Sequence, residues 1–131
     1  MTNDMVNHPP HYQHPSGIEC IEIIEQIDCP LIANAFKYVF RAGKKEGKFD
    51  EDLEKALWYI GRKIDICENF CLMDGYSLTL GSLFMEYLAH EADTTRSLAL
   101  IRILRFYVTD DIEEGQEAFA FIQEMQSGEV N

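Results

Sequence analysis

The feature that most constrains this chain is the run Gly43-Lys44-Lys45-Glu46-Gly47-Lys48-Phe49, set between two segments whose apolar residues recur every three to four positions. A glycine after Ala42 suits a left-handed helix C-cap, and Asp50 suits the N-cap of a following helix. Residues 34–59 therefore read as two antiparallel helices joined by one turn. In the first helix, expected over 31–42, Ile32, Phe36, Val39 and Phe40 face a core, while Asn34, Lys37, Tyr38 and Arg41 share another stripe. In the second, expected over 51–71, Leu53, Ala56, Leu57, Ile60, Ile64, Cys67 and Cys71 form the apolar face, and Asp52, Lys55, Tyr59 and Arg62 lie opposite. A short turn sets the two polar stripes facing each other.

Charge sharpens this. The net charge is −12, yet eight of the eleven Lys and Arg residues fall between Lys37 and Lys63. An acidic protein that gathers its cations beside one turn is suited to a small anion, and Gly47 among lysines lets backbone N–H groups form an anion nest. The turn is not a P-loop: three residues separate the glycines, Phe49 stands where a hydroxyl is needed, and both flanks are helical. A plainer reading has the lysines complementing a helix C-terminus, and Glu51 with Lys55 forming an ordinary surface pair.

The flanking regions add fewer candidates. His8-Pro9-Pro10-His11-Tyr12-Gln13-His14-Pro15 favours an extended arm, in which Tyr12 and His11 offer a flat surface and hydrogen bonds to a ligand. Ser16 and Glu19 suggest a capping box opening a helix to about Ile27, with Ile18, Ile21, Ile24 and Ile27 inward. Glu19, Glu22 and Glu25 then form a carboxylate stripe, either wet or holding Mg²⁺ through Glu22 and Glu25. Three more amphipathic segments are expected over 77–91, 95–108 and 111–125, with Asp110 and Glu113 as a capping box and His90 on the surface. The four cysteines lack a CxxC pair and read as reduced, small apolar residues.

These elements predict an all-α, compact bundle of about six helices with an extended N-terminal arm, occupying residues 1–131 as one domain. The acidic balance argues against nucleic acid as a partner, because a phosphate backbone needs a broad basic face. Without a leader-like run or a stretch of roughly 18 apolar residues, neither export nor membrane insertion is expected, and the reading is cytoplasmic.

Four ordered blocks carry a resemblance: Val6-Asn7-His8-Pro9-Pro10-His11-Tyr12, Gly17-Ile18-Glu19-Cys20-Ile21-Glu22, Ala35 to Lys45, and Glu51 to Tyr59. Over residues 5–66 the chain resembles the small bacteriophage DUF3310 (SaV-like) family, which includes the nucleotide kinase of phage T7; residues 72–131 form a helical extension outside it. The resemblance implies phosphoryl transfer from a nucleoside triphosphate to a deoxynucleoside monophosphate in the host cytoplasm. Arg41, Lys44 and Asp52 would then be catalytic. Lys37, Lys45 and Lys48 would hold phosphates, Asn34, Lys55 and Tyr59 would line the site, and His11 and Tyr12 would contact base or sugar. Asp52 would orient an attacking oxygen or Mg²⁺. Arg41→Ala is expected to weaken nucleotide binding about tenfold without changing the melting temperature. Two alternatives stay open. One is a MazG-like all-α pyrophosphohydrolase with Mg²⁺ on Glu22, Glu25 and Asp52. The other is a non-catalytic module binding nucleotides or a host protein, with homo-oligomer formation equally open.

Overall fold

A computed structural model describes residues 14–44, 47–69 and 78–128. His11, Tyr12 and Lys45 lie outside the described residues, as do Cys71 and most of the proline-rich arm. Among the described residues the chain forms six α-helices and no strand: α1 Cys20–Ile24, α2 Pro30–Arg41, α3 Phe49–Asn69, α4 Leu78–Ala89, α5 Thr94–Thr109 and α6 Ile112–Ser127. The all-α expectation holds.

The α2–α3 hairpin is the centre. Pro30 occupies the first turn of α2, where its missing N–H costs nothing. The helix then buries Ile32, Ala35, Phe36, Val39 and Phe40. It ends as Ala42 leaves helical geometry and Gly43 takes φ +84°, a conformation that strains any residue with a Cβ. A side chain there would also meet the Phe49 ring at 3.2 Å, so the turn needs glycine twice over. Returning along α3, Leu53, Ala56, Leu57 and Ile60 close the shared core.

α5 lies against α2, and α6 packs on both α3 and α5. At the α5–α6 crossing, a Cβ on Gly115 would sit 2.6 Å from the Phe106 ring, so the approach depends on having no side chain there. α4 meets α2 through aromatic rings, with Phe84 edge-on to Phe36 at 5.8 Å and Tyr87 at 5.0 Å from Phe40.

Three local expectations are corrected. Asp50 is not the N-cap of α3: the helix begins at Phe49, and Lys48 O accepts the Asp52 N–H at 2.9 Å. The first helix is only five residues long, and its capping box is Glu19 with Glu22 rather than Ser16 with Glu19. The Ser16 hydroxyl instead accepts the Ile18 N–H at 3.1 Å, one step before the helix. Cys20, Ile23 and Ile27 are buried, whereas Ile21 is 53% exposed: Ile18 precedes the helix and does not set its register, and Cys20 and Ile23 take the inward face. Asp110 does not cap α6: it is the left-handed C-cap of α5, and its neighbour Asp111 accepts the Glu113 N–H. The Asp110 carboxylate goes inward to Lys63 at 3.0 Å, a pair exposed by only 5% and 7% on its two sides.

A candidate anion site on the basic helix hairpin

Arg41 ends α2 and Asp52 stands in the first turn of α3, each with the charge its helix terminus favours. Across the turn the two meet. Arg41 Nε and Nη2 both donate to Asp52 Oδ1, at 3.2 and 3.0 Å. Asp52 is fully buried, and its second oxygen, Oδ2, is buried without a hydrogen-bond partner among the described residues. An acceptor left that way costs about 1–3 kcal/mol, which ties the carboxylate to the guanidinium. Asp52 therefore holds the Arg41 guanidinium in place and, fully buried, exposes no carboxylate oxygen to solvent. Removing Arg41 strands a buried carboxylate, so the expectation of an unchanged melting temperature for Arg41→Ala is corrected.

Around this pair the cations converge on one ring. Lys37 Nζ and Arg41 Cζ each lie 4.8 Å from the Tyr38 ring centre, and Lys55 Nζ lies 5.3 Å from it. Tyr59 stacks on Tyr38 at 6.0 Å with ring planes 10° apart. Trp58 meets Tyr59 edge-on at 5.1 Å. Glu51 lies 3.6 Å from both Lys48 and Lys55, and those two ammonium groups hold its exposed carboxyl below the usual range. Lys37 makes no ion pair among the described residues.

The structure thus brings together Lys37, Arg41, Asp52, Lys55 and Tyr59, and links Lys48 to them through Glu51. It does not bring in Asn34, whose amide donates to Pro30 O at 2.8 Å within its own helix. Nor does Lys44 join: its ammonium is buried over the Phe40 ring at 4.2 Å, without a hydrogen-bond partner among the described residues. Burial lowers the Lys44 pKa, nearby Arg96 lowers it further, and Glu91 opposes both.

That places Lys44 beside a second network, invisible from sequence spacing. His14 contacts Glu91 at 3.3 Å and stacks on Tyr87 at 4.2 Å. The Tyr87 hydroxyl donates to Glu91, and Arg96 lies 3.8 Å from the same oxygen. Burial pulls the His14 pKa below 6.5 despite Glu91. Burial would raise the Glu91 carboxyl, but the Tyr87 hydroxyl, the Asp93 N–H and the cations hold it lower. Arg96 Nη1 donates to Val39 O and Phe40 O at 2.7 and 3.0 Å, capping the last turn of α2 from α5. Beneath the cations, burial pushes the Cys20 thiol up to about 12, so it is an apolar filler rather than a nucleophile.

Metal ligation finds no support in this arrangement. Glu22 Oε2 accepts the Glu19 N–H at 2.7 Å, Glu25 is exposed, and Asp52 is sealed against Arg41. Among the described residues, no group of three or more His, Cys, Asp or Glu is placed to hold a metal ion. The described cysteines Cys20, Cys29 and Cys67 are free thiols. Among the described residues no helix is long and apolar enough to cross a membrane.

The α2–α3 hairpin and its approach from the N-terminus are also where a known family is found. Residues 6–61 match the DUF3310 family model, described as a protein of unknown function. The match supports that family and ends within α3, leaving α4 to α6 outside it. No curated protein and no solved structure matches the chain.

Proposed function

We propose that the α2–α3 hairpin binds the phosphates of a nucleotide, and that the protein is a phage-encoded deoxynucleoside monophosphate kinase without a P-loop. The observation that carries the binding half is the gathering of Lys37, Arg41 and Lys55 around the Tyr38 ring, with Asp52 locking the Arg41 guanidinium in place. In a protein of net charge −12, that is a preorganised site for a compact anion. The resemblance of the same segment to a family with a nucleotide kinase supplies the reaction. An oxygen of the monophosphate attacks the terminal phosphorus of a nucleoside triphosphate, the bond to the bridging oxygen breaks, and two diphosphates result. Such transfer relies on positioning and on neutralising the transferring group, which Arg41, Lys37 and Lys55 would do in this reading. The described carboxylates do not fit a protein-held Mg²⁺, so no step is assigned to one. The same observation weighs against the pyrophosphohydrolase reading, which needs Glu22, Glu25 and Asp52 to share a metal.

The test is incubation of the full chain with a panel of nucleoside mono- and triphosphates, followed by chromatographic separation of the products. Diphosphates support the kinase, whereas monophosphate with pyrophosphate overturns it in favour of hydrolysis. Nucleotide retained unchanged leaves a binding module.

A further inference from the structure

The hairpin carries an aromatic surface that phosphate recognition does not need. Trp58, the chain's one tryptophan, is 63% exposed on a helix whose other large apolar residues are mostly inward. Its position is nonetheless defined: Tyr59 holds it edge-on, with ring planes 87° apart, and Tyr59 is in turn braced by Tyr38. Tyr38, Lys55, Trp58 and Tyr59 line a shallow concavity of about 330 Å³, at the small end of ligand pockets. Lys55 lies at its rim and within reach of the cations described above.

We propose that this concavity seats one planar heterocycle, the base of the nucleotide whose phosphates the neighbouring cations hold. The inference rests on the phosphate reading of the hairpin and adds a base subsite between α2 and α3. Three features favour a base over other occupants. Every base has a π-face that stacks on an aromatic side chain regardless of sequence. The braced rings lose little conformational entropy on binding, unlike a freely rotating side chain. The space takes one ring system, and a chain of net charge −12 has no broad basic face for an extended phosphate backbone, so a mononucleotide fits better than single-stranded nucleic acid.

Because Trp58 is the sole tryptophan, its emission reads the subsite directly. The full-length protein is titrated with dTMP, dGMP, deoxyribose 5-phosphate and the oligonucleotide dT8, following fluorescence corrected for nucleotide absorbance together with calorimetric heat. Both monophosphates are expected to quench emission saturably, and deoxyribose 5-phosphate to bind with heat but without quenching. Trp58→Leu should weaken dTMP about tenfold and leave deoxyribose 5-phosphate unchanged, while Trp58→Phe should recover most of the loss. Heat from dTMP with unaltered emission, and equal affinity in Trp58→Leu, overturns the base subsite while the phosphate site stands. Absence of heat from every phosphate overturns both. Tighter binding and stronger quenching by dT8 than by dTMP also overturns the proposal, in favour of a single-stranded nucleic acid surface. Quenching by protein concentration alone overturns it in favour of a contact between copies of the chain.

Discussion

The two halves of the molecule use their cations differently. In α5, Arg96 caps α2, Arg105 pairs with Glu114 at 2.8 Å and Arg102 approaches Glu117 at 3.5 Å, so each guanidinium joins one helix to another. In the α2–α3 hairpin Arg41 and Lys63 are each locked by a buried carboxylate, Asp52 and Asp110, while Lys37, Arg41 and Lys55 gather around the Tyr38 ring. The first pattern holds helices together. The second gathers positive charge beside aromatic rings, at a cost in self-repulsion that Asp52 and Glu51 offset. What separates the halves is the partner of each charge rather than the number of cations.

The largest expected effect tests the first pattern. Arg96→Met removes two charged hydrogen bonds from buried carbonyls and should cost about 3–5 kcal/mol in urea unfolding. A cost under about 1 kcal/mol would break the distinction. Next comes Arg41→Ala, expected to destabilise by about 2–3 kcal/mol because Asp52 is left buried and unpaired. Replacing both residues with leucine should recover most of that stability while phosphate binding stays lost. If the double variant still binds phosphate normally, Arg41 belongs with the structural arginines.

The pH dependence is smaller and concerns the network beside Lys44. His14 is held below its ordinary pKa of 6.5 in the folded state, chiefly by burial. As pH falls below about 6.5 the unfolded chain takes up that proton first, so stability should decline there. Glu91, whose folded pKa is depressed, contributes stability present above about 4.5 and lost as pH falls through its folded value, in a separate, more acidic window. Melting curves of His14→Gln should lack the first decline and keep the second.

The smallest stability effects make the sharpest comparison. Arg105→Ala and Lys37→Ala should each change stability by less than about 1 kcal/mol, since both are surface cations. Only Lys37→Ala should weaken phosphate binding, by about tenfold in calorimetry. Equal effects on binding would erase the difference between the halves.

Much of the hairpin was legible because two physical rules agreed. Helical periodicity separated the core face from the Lys37–Arg41 stripe, and the glycine after Ala42 marked the reversal. Arg41 meeting Asp52 follows from those two facts. What escaped was set by neighbours distant in sequence. Lys44 reads as one more cation of the turn, yet Phe40 and the α4–α5 junction claim it. Tyr38 was placed on the polar stripe but passed over as a site residue, although a tyrosine beside Lys37 and three residues before Arg41 was the available clue. At Asp110 and Asp111, two adjacent acids offer two caps; Asp110 ends α5 with its carboxylate turned inward to Lys63 and Cys67, and Asp111 caps α6.

The Arg96 cap has a consequence for how the chain can be divided. The family match stops at residue 61, but the carbonyls that end α2 are held by a side chain 56 and 57 positions away along the sequence. The stretch that the family model matches therefore relies, for the end of α2, on a residue outside it. Its cationic turn is buttressed from outside, and cutting the chain after α3 would remove the buttress along with the helices that carry it.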